Sequence, residues 1–431
     1  MNPRDQFDRI LFDAGVPLPR AASSSLISPS LPLDGGEGRG EDVRPYGLPL
    51  SSVSPRTSIA HCAHEPGTAA FRPPEEWTAG KQSFRFMSRM QSLMHPCPLA
   101  LAPMQDVTDL PFWRLMTRYG GADLYFTEYF RVHATSNLDR SILKSITENP
   151  TGRPVIAQMI GNDIPALVRT ARELQQYGIA GVDLNLGCPA PIVYRKCAGG
   201  GLLREPERID AILGALREAV SVKFTVKTRI GFESPDLFER LLGIFSKHSL
   251  DLLTVHGRTV REMYQPVVHY DFIASAVAAM PCPVLANGNV DSSRKAREVL
   301  EWTGARGLMI GRGAIRNPWL FTQIRQSLQA EPEFVPDGRA MLDYIRDLFD
   351  TVRPAGISEG AHIQKMKKYM NFIGVGLDPT GQFLHQIRRV TTEAEFFRTC
   401  EQFLDHDRPV FLDAPSNREM TSSSVVCEKL R

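Results

Sequence analysis

The residues able to do chemistry in this chain stand at the ends of short apolar runs. Eight such runs finish in Met104-Gln105, Glu128, Gln158, Asn185 with Cys188, Lys227 with Arg229, His256 with Arg258, Asn287-Gly288-Asn289, and Gly311-Arg312. One polar residue at a strand end is ordinarily satisfied inside its own loop; the same placement after every run points to a shared purpose. The last two segments read NGNV (287–290) and IGRG (310–313). Glycines there let a backbone come close and expose N–H groups, and Arg312 adds a fixed cation, a combination suited to phosphate. Lys227, His256 and Gln158 suit a flavin better than a bare sugar phosphate, because a cation steadies the anionic reduced ring and an amide bonds its polar edge. A lysine so placed would also serve as a Schiff-base former in a barrel aldolase, and spacing does not separate the two.

Cys188 sits in LNLGCPAP (184–191), past the apolar run rather than within it. A lone cysteine near a strand end is commonly a small buried apolar residue, but this position favours a thiol acting as acid or nucleophile. Cys197 in the same loop is the weaker candidate, and the glycine run 199–201 reads as a mobile loop.

Such side chains need elements that carry their ends to one place. The apolar runs predict strands at 98–104, 122–129, 154–161, 181–188, 224–231, 252–258, 283–290 and 305–313. Between them, three- and four-residue apolar spacing predicts helices, clearest at 164–177, 206–220 and 235–248, with Gly178 placed to cap the first. Eight strands alternating with helices predict an α/β fold, a (β/α)8 TIM barrel, in which active residues gather where strands end and the phosphate site follows strands seven and eight. A doubly wound open sheet is the rival, weakened because no GxGxxG follows the first strand.

After residue 336 only helices are predicted, at 337–352, 362–373, 380–390 and 393–404. The domain reading is therefore a disordered extension over 1–93, a barrel over 94–333, a helical domain over 334–412 and a flexible tail over 413–431. The extension is crowded with Ser, Pro and Gly and lacks an apolar period, so little burial offsets its ordering entropy. It reads as dispensable, or as sequence upstream of a start at Met87, Met90 or Met94.

Composition excludes little else. The net charge of +2 means any nucleic-acid surface must be a local basic patch. The seven cysteines include no CxxC pair and fit no zinc spacing, which predicts neither staples nor a metal. No run approaches the ~20 apolar residues a membrane span needs, and no secretory signal pattern opens the chain, so the cytoplasm is expected.

Taken together in this order, LAPMQDVTD (101–109), TEYFRV (127–132), PVIAQMIG (154–161), GVDLNLGCPAPIVYRKCAGGGLL (181–203), VKTRIG (226–231), VHGRT (255–259), ANGNV (286–290) and MIGRGA (309–314) resemble the tRNA-dihydrouridine synthase family. The likeness spans about 98–404, and TEYFRV with the C-terminal layout looks most like the bacterial subgroup acting on the D-loop near position 16. The resemblance implies FMN as cofactor and NADPH (or NADH) as reductant. Pro103, Met104 and Gln105 would pass around the ring, Gln158 would bond its polar edge, Lys227 would face the N1–C2 edge and His256 would lie close by. Asn287, Gly288, Asn289, Gly311 and Arg312 would hold the phosphate. Reduced flavin would deliver hydride to uracil C6 while Cys188 protonates C5, and Asn185 would read the uracil edge of a uridine turned out of its stack.

The partner implied is tRNA, met by a monomer through Arg131, Tyr264, Lys365, Lys367, Phe372 and Arg388. The chain departs from the family in having Gln105 for a usual Glu, MYQPVVHYDF (263–272) for a Gly-containing stretch, and Phe372 for an aromatic with a hydroxyl. A flavin barrel acting on a free pyrimidine, and an RNA-binding barrel without turnover, remain as alternatives.

Overall fold

Side chains of a strand alternate between faces, so a barrel strand sends every second residue inward. Nine parallel strands build the sheet in this computed structural model, which describes residues 2–12, 97–378 and 380–412. They are β1 (Leu99–Leu101), β2 (Leu124–Phe126), β3 (Phe130–Arg131), β4 (Val155–Ile160), β5 (Gly181–Leu186), β6 (Lys223–Arg229), β7 (Leu252–His256), β8 (Val284–Asn287) and β9 (Gly307–Ile310). Their order is β2-β1-β9-β8-β7-β6-β5-β4-β3, and a further β2–β4 pairing closes the ring.

Both β2 and β3 lie on β4, with Tyr125 opposite Val155 and Phe130 opposite Met159, so they are two lengths of one stave. The barrel therefore has eight staves, as the sequence predicts. The single run expected over 122–129 breaks after Phe126, next to Thr127, whose hydroxyl accepts the Gln158 backbone N–H at 3.0 Å.

The lower lumen is filled by Ala100, Leu124, Phe126, Ile156, Ala180, Leu252, Leu285 and Met309. Phe7 and Leu11 complete that cluster from a helix, Pro3–Phe12, which lies within the expected disordered extension. The disorder expectation is wrong for these residues: Phe7 is 0% exposed, and Asp8 pairs with Lys223 at 2.6 Å. Residues 13–96 and the tail from 413 lie outside the described residues.

Around the barrel the expected helices form at Ile164–Leu174, Pro206–Ala219 and Phe238–Lys247, and Gly178 takes the left-handed conformation (φ 66°) that ends the first. The glycine run is not a loose loop. Gly199–Arg204 is a 3-10 helix, and a Cβ on Gly200 would fall 2.4 Å from Val260 Cγ2 and 2.9 Å from the Cys188 carbonyl. Four helices follow the barrel: Gly338–Thr351, Glu359–Ile373, Gln382–Ile387 and Glu393–Leu404. Among the described residues no helix is long and apolar enough to cross a membrane, and no group of three or more His, Cys, Asp or Glu is placed to hold a metal.

Candidate active site

Inward alternation decides which polar residues meet. Asn185 lies beside Lys227 in register, Arg229 beside His256, and His256 beside Asn287. One layer deeper, Gln158, Asp183 and Thr225 fill the lumen. Above them opens a cavity of about 1200 Å³ lined by Pro103, Met104, Gln105, Asn185, Cys188, Lys227, Arg229, His256, Tyr264, Asn287, Gly288, Asn289, Gly311, Arg312 and Phe372, among others.

A continuous chain of hydrogen bonds supports Cys188 from below. Thr225 Oγ1 donates to Asp183 Oδ1 (2.5 Å), and Gln158 Nε2 donates to Asp183 Oδ2 (2.8 Å). Asn185 Nδ2 donates to Gln158 Oε1 (2.8 Å), while Asn185 Oδ1 accepts the backbone N–H groups of Gly187 (3.0 Å) and Cys188 (2.9 Å). Burial pushes the Asp183 carboxyl up to about 6, against the pull of its Thr225 and Gln158 bonds. Gln158 is thus a floor residue, 0% exposed, bonded at both amide ends and not part of the cavity lining. Asn185 spends its carbonyl on the cysteine turn, which leaves one amide hydrogen to face the cavity.

The cavity wall is basic. Six Lys and Arg side chains line it against two carboxylates, Asp291 and Glu298. Burial pulls Lys227 down to about 8, with the nearby Arg229 charge adding to the effect. Burial and then Arg229 hold His256 well below its ordinary value, so its ring is neutral at pH 7. Its Nε2 accepts from Arg258 Nη1 at 3.0 Å, which a guanidinium permits only if that nitrogen carries no proton. Arg312 Nη2 donates to Asn289 Oδ1 (3.0 Å), with Asn289 at φ 46° and Gly288 at φ 134°. That positive-φ turn exposes backbone beside a cation, an anion cradle at the ends of β8 and β9.

Two arginines named at strand ends, but given no role, prove central. Arg229, 2% exposed, donates to the carbonyls of Gly187 (3.0 Å), Thr259 (2.7 Å) and Met263 (2.9 Å). It joins the Cys188 loop to the loop bearing Tyr264, whose ring lies under Arg229 and Arg312 at 5.9 and 5.1 Å. Arg258 is 0% exposed and braces His256. Both stand two residues after another inward-facing residue, the signal that they share its face.

Of the expected RNA contacts, Tyr264 and Phe372 line the cavity. Tyr264 is 55% exposed at the rim, and Arg131 and Arg388 are exposed. Lys367 and Phe372 are half-buried on the helix Glu359–Ile373. Lys365 is turned inward to Asp109 Oδ2 (3.5 Å) and the Val352 carbonyl (3.1 Å).

The dihydrouridine synthase (Dus) family model matches residues 100–407 of this chain, which takes in the barrel and the helices after it. The chain belongs to the dihydrouridine synthase family. Within that family it is 31% identical to tRNA-dihydrouridine synthase B of Pasteurella multocida over 312 residues, 71% of this chain and 92% of that protein. It is 39% identical to synthase B of Vibrio cholerae over 235 residues, 54% of this chain and 72% of that protein. It is also 31% identical to the tRNA-dihydrouridine(16) synthase of Neisseria meningitidis over 313 residues, 71% of this chain and 94% of that protein. The dihydrouridine synthase match begins inside β1 and so leaves out the helix Pro3–Phe12.

Proposed function

We propose that this protein reduces the C5–C6 double bond of a D-loop uridine in tRNA, with FMN held in the barrel mouth and NADPH or NADH as reductant. The observation that carries the reading is a thiol on a rigid turn facing a basic, phosphate-ready cavity. Gln105 Oε1 supports the cofactor: it is buried in the cavity wall with no hydrogen-bond partner among the described residues, an acceptor waiting for a donor such as a flavin N–H. Pro103, Met104 and Gln105 line one side for the ring and Lys227 and His256 another, while Asn287, Gly288, Asn289, Gly311 and Arg312 take the phosphate.

When bound, FMN supplies the hydride that uracil C6 accepts. Cys188 gives its Sγ proton to C5 and is reprotonated from solvent, so the base gains one hydride and one proton. Asn185 keeps the thiol in place through the backbone and offers its remaining N–H to the base. Arg131, Tyr264, Lys367, Phe372 and Arg388 meet the tRNA around the mouth, with a single copy of the chain and a cytoplasmic setting sufficient for the reaction.

In cells lacking the protein, dihydrouridine should vanish from one D-loop position, with position 16 the expected site. Wild-type protein should restore it, and Cys188→Ala should not, while both proteins show flavin absorption near ~450 nm after FMN reconstitution. Restoration by Cys188→Ala at the wild-type rate would remove the proton-donor role. An unchanged dihydrouridine map would remove the function itself.

A further inference from the structure

Residues 104–109 form the loop that brings Gln105 to the cavity, and three side chains from outside the loop hold it. Glu128 accepts the Asp106 backbone N–H, where Asp106 has the left-handed φ of 61°. The other two belong to the helix Glu359–Ile373 beyond the barrel. Tyr369, 0% exposed, donates its hydroxyl to the Val107 carbonyl at 2.9 Å, and its ring stacks on Phe112 at 6.1 Å. Lys365 pairs with Asp109, whose other carboxylate oxygen caps the helix Leu110–Arg118 at Phe112 N (3.2 Å). One helix turn on, the Phe372 carbonyl accepts from Arg316 Nε at 3.2 Å, at the end of the short helix Arg312–Arg316 that Gly311 precedes.

We infer that Tyr369 and Lys365 are positioning residues that couple tRNA binding to FMN binding. The same helix carries the half-buried Lys367 and the exposed Lys368 and grips the cofactor loop through Lys365 and Tyr369. A tRNA seated on the helix therefore steadies the loop through two directional bonds, and an occupied cofactor site steadies the helix in return. Such coupling is reciprocal by thermodynamic necessity and is typically several-fold or more. The inference rests on the reading of the site as one for FMN and tRNA.

The test is the FMN dissociation constant of the full chain, from flavin fluorescence, with and without saturating unmodified tRNA. Wild-type protein should bind FMN about five-fold or more tighter in the presence of tRNA. Tyr369→Phe keeps the ring and its stack on Phe112 but removes the hydroxyl. It should bring that ratio to within about twofold of one, with its melting temperature and tRNA affinity without FMN close to wild type. Asp109→Asn keeps a capping side chain but loses the charge paired with Lys365, and should lower the ratio as well. A variant ratio equal to wild type, or a wild-type ratio of one, overturns the coupling while leaving the enzyme reading intact. Failure of wild-type protein to bind FMN or tRNA at all overturns both.

Discussion

Lys227 shows how the site sets charge at the scale of a residue. Burial in the barrel mouth brings its ammonium down from the ordinary 10.5 to about 8, and Arg229 adds repulsion. The unfolded chain holds that proton up to about 10.5, whereas the folded chain releases it near 8. Between those values the unfolded state binds more protons, so stability climbs with pH, and the full burial penalty is present below 8. Lys227→Met should therefore raise the melting temperature of flavin-free protein at pH 7, with the gain shrinking as pH rises toward 10.5. Equal gains at pH 7 and pH 10 in thermal melts would mean that burial of charge is not the cause. An anionic ligand bound in the mouth would offset the cost of that buried cation.

At the scale of elements, the helix Pro3–Phe12 closes the lower end of the barrel. Phe7 and Leu11 enter the lumen, Gln6 Nε2 donates to the Gly152 carbonyl (3.2 Å), and Arg306 Nε donates to the Leu11 carbonyl (3.0 Å). The segment therefore works as part of the core despite the long stretch of sequence that separates it from β1. Phe7→Ala should cost about 3–5 kcal/mol in urea unfolding, the usual loss for a buried aromatic truncated in a well-filled core. A variant as stable as wild type would show the helix to be dispensable. The signal was present in PRDQFDRILF, where Phe7, Ile10 and Leu11 stand at three- and four-residue spacing. Its shortness and its Ser/Pro/Gly-rich surroundings hid it, because a helix of this length gains its stability from tertiary packing rather than from its own sequence.

For the whole molecule, a net charge of +2 means that attraction for RNA must come from where cations are placed. Lys367 and Lys368 lie on the helix Glu359–Ile373 and Arg388 and Arg389 on the turn that ends Gln382–Ile387, with Arg388 Nε donating to Asn371 Oδ1 at 2.8 Å. Replacing Lys367 and Arg388 together by Ala should weaken tRNA binding and flatten the dependence of log K on log salt by about 1–2, since each phosphate left without its cation removes about 0.7–0.9 from the slope. Filter binding or anisotropy across salt concentrations reads this directly. An unchanged slope would place the RNA on another face.

The sequence by itself determined the barrel, the helices after it, and the cavity residues that stand at strand ends. Period-two and period-3.6 patterns are local, and the fold's rule that strand ends converge turns position along a strand into position in the site. It also carried Cys188, whose place past β5 set it at the mouth. Only the tertiary structure decided which polar groups face the cavity and which hold others. Gln158 has the residue type for a ligand contact, and the fold bonds both ends of its amide, to Asp183 and Asn185. Arg229 has the type for an ion pair but binds three carbonyls from two loops. Lys365 stands in a basic run, yet it turns inward to Asp109, 256 positions away along the chain. Such partners are far apart in sequence, so no local pattern encodes their meeting, and only closure of the barrel and packing of the later helices against it bring them within hydrogen-bond reach.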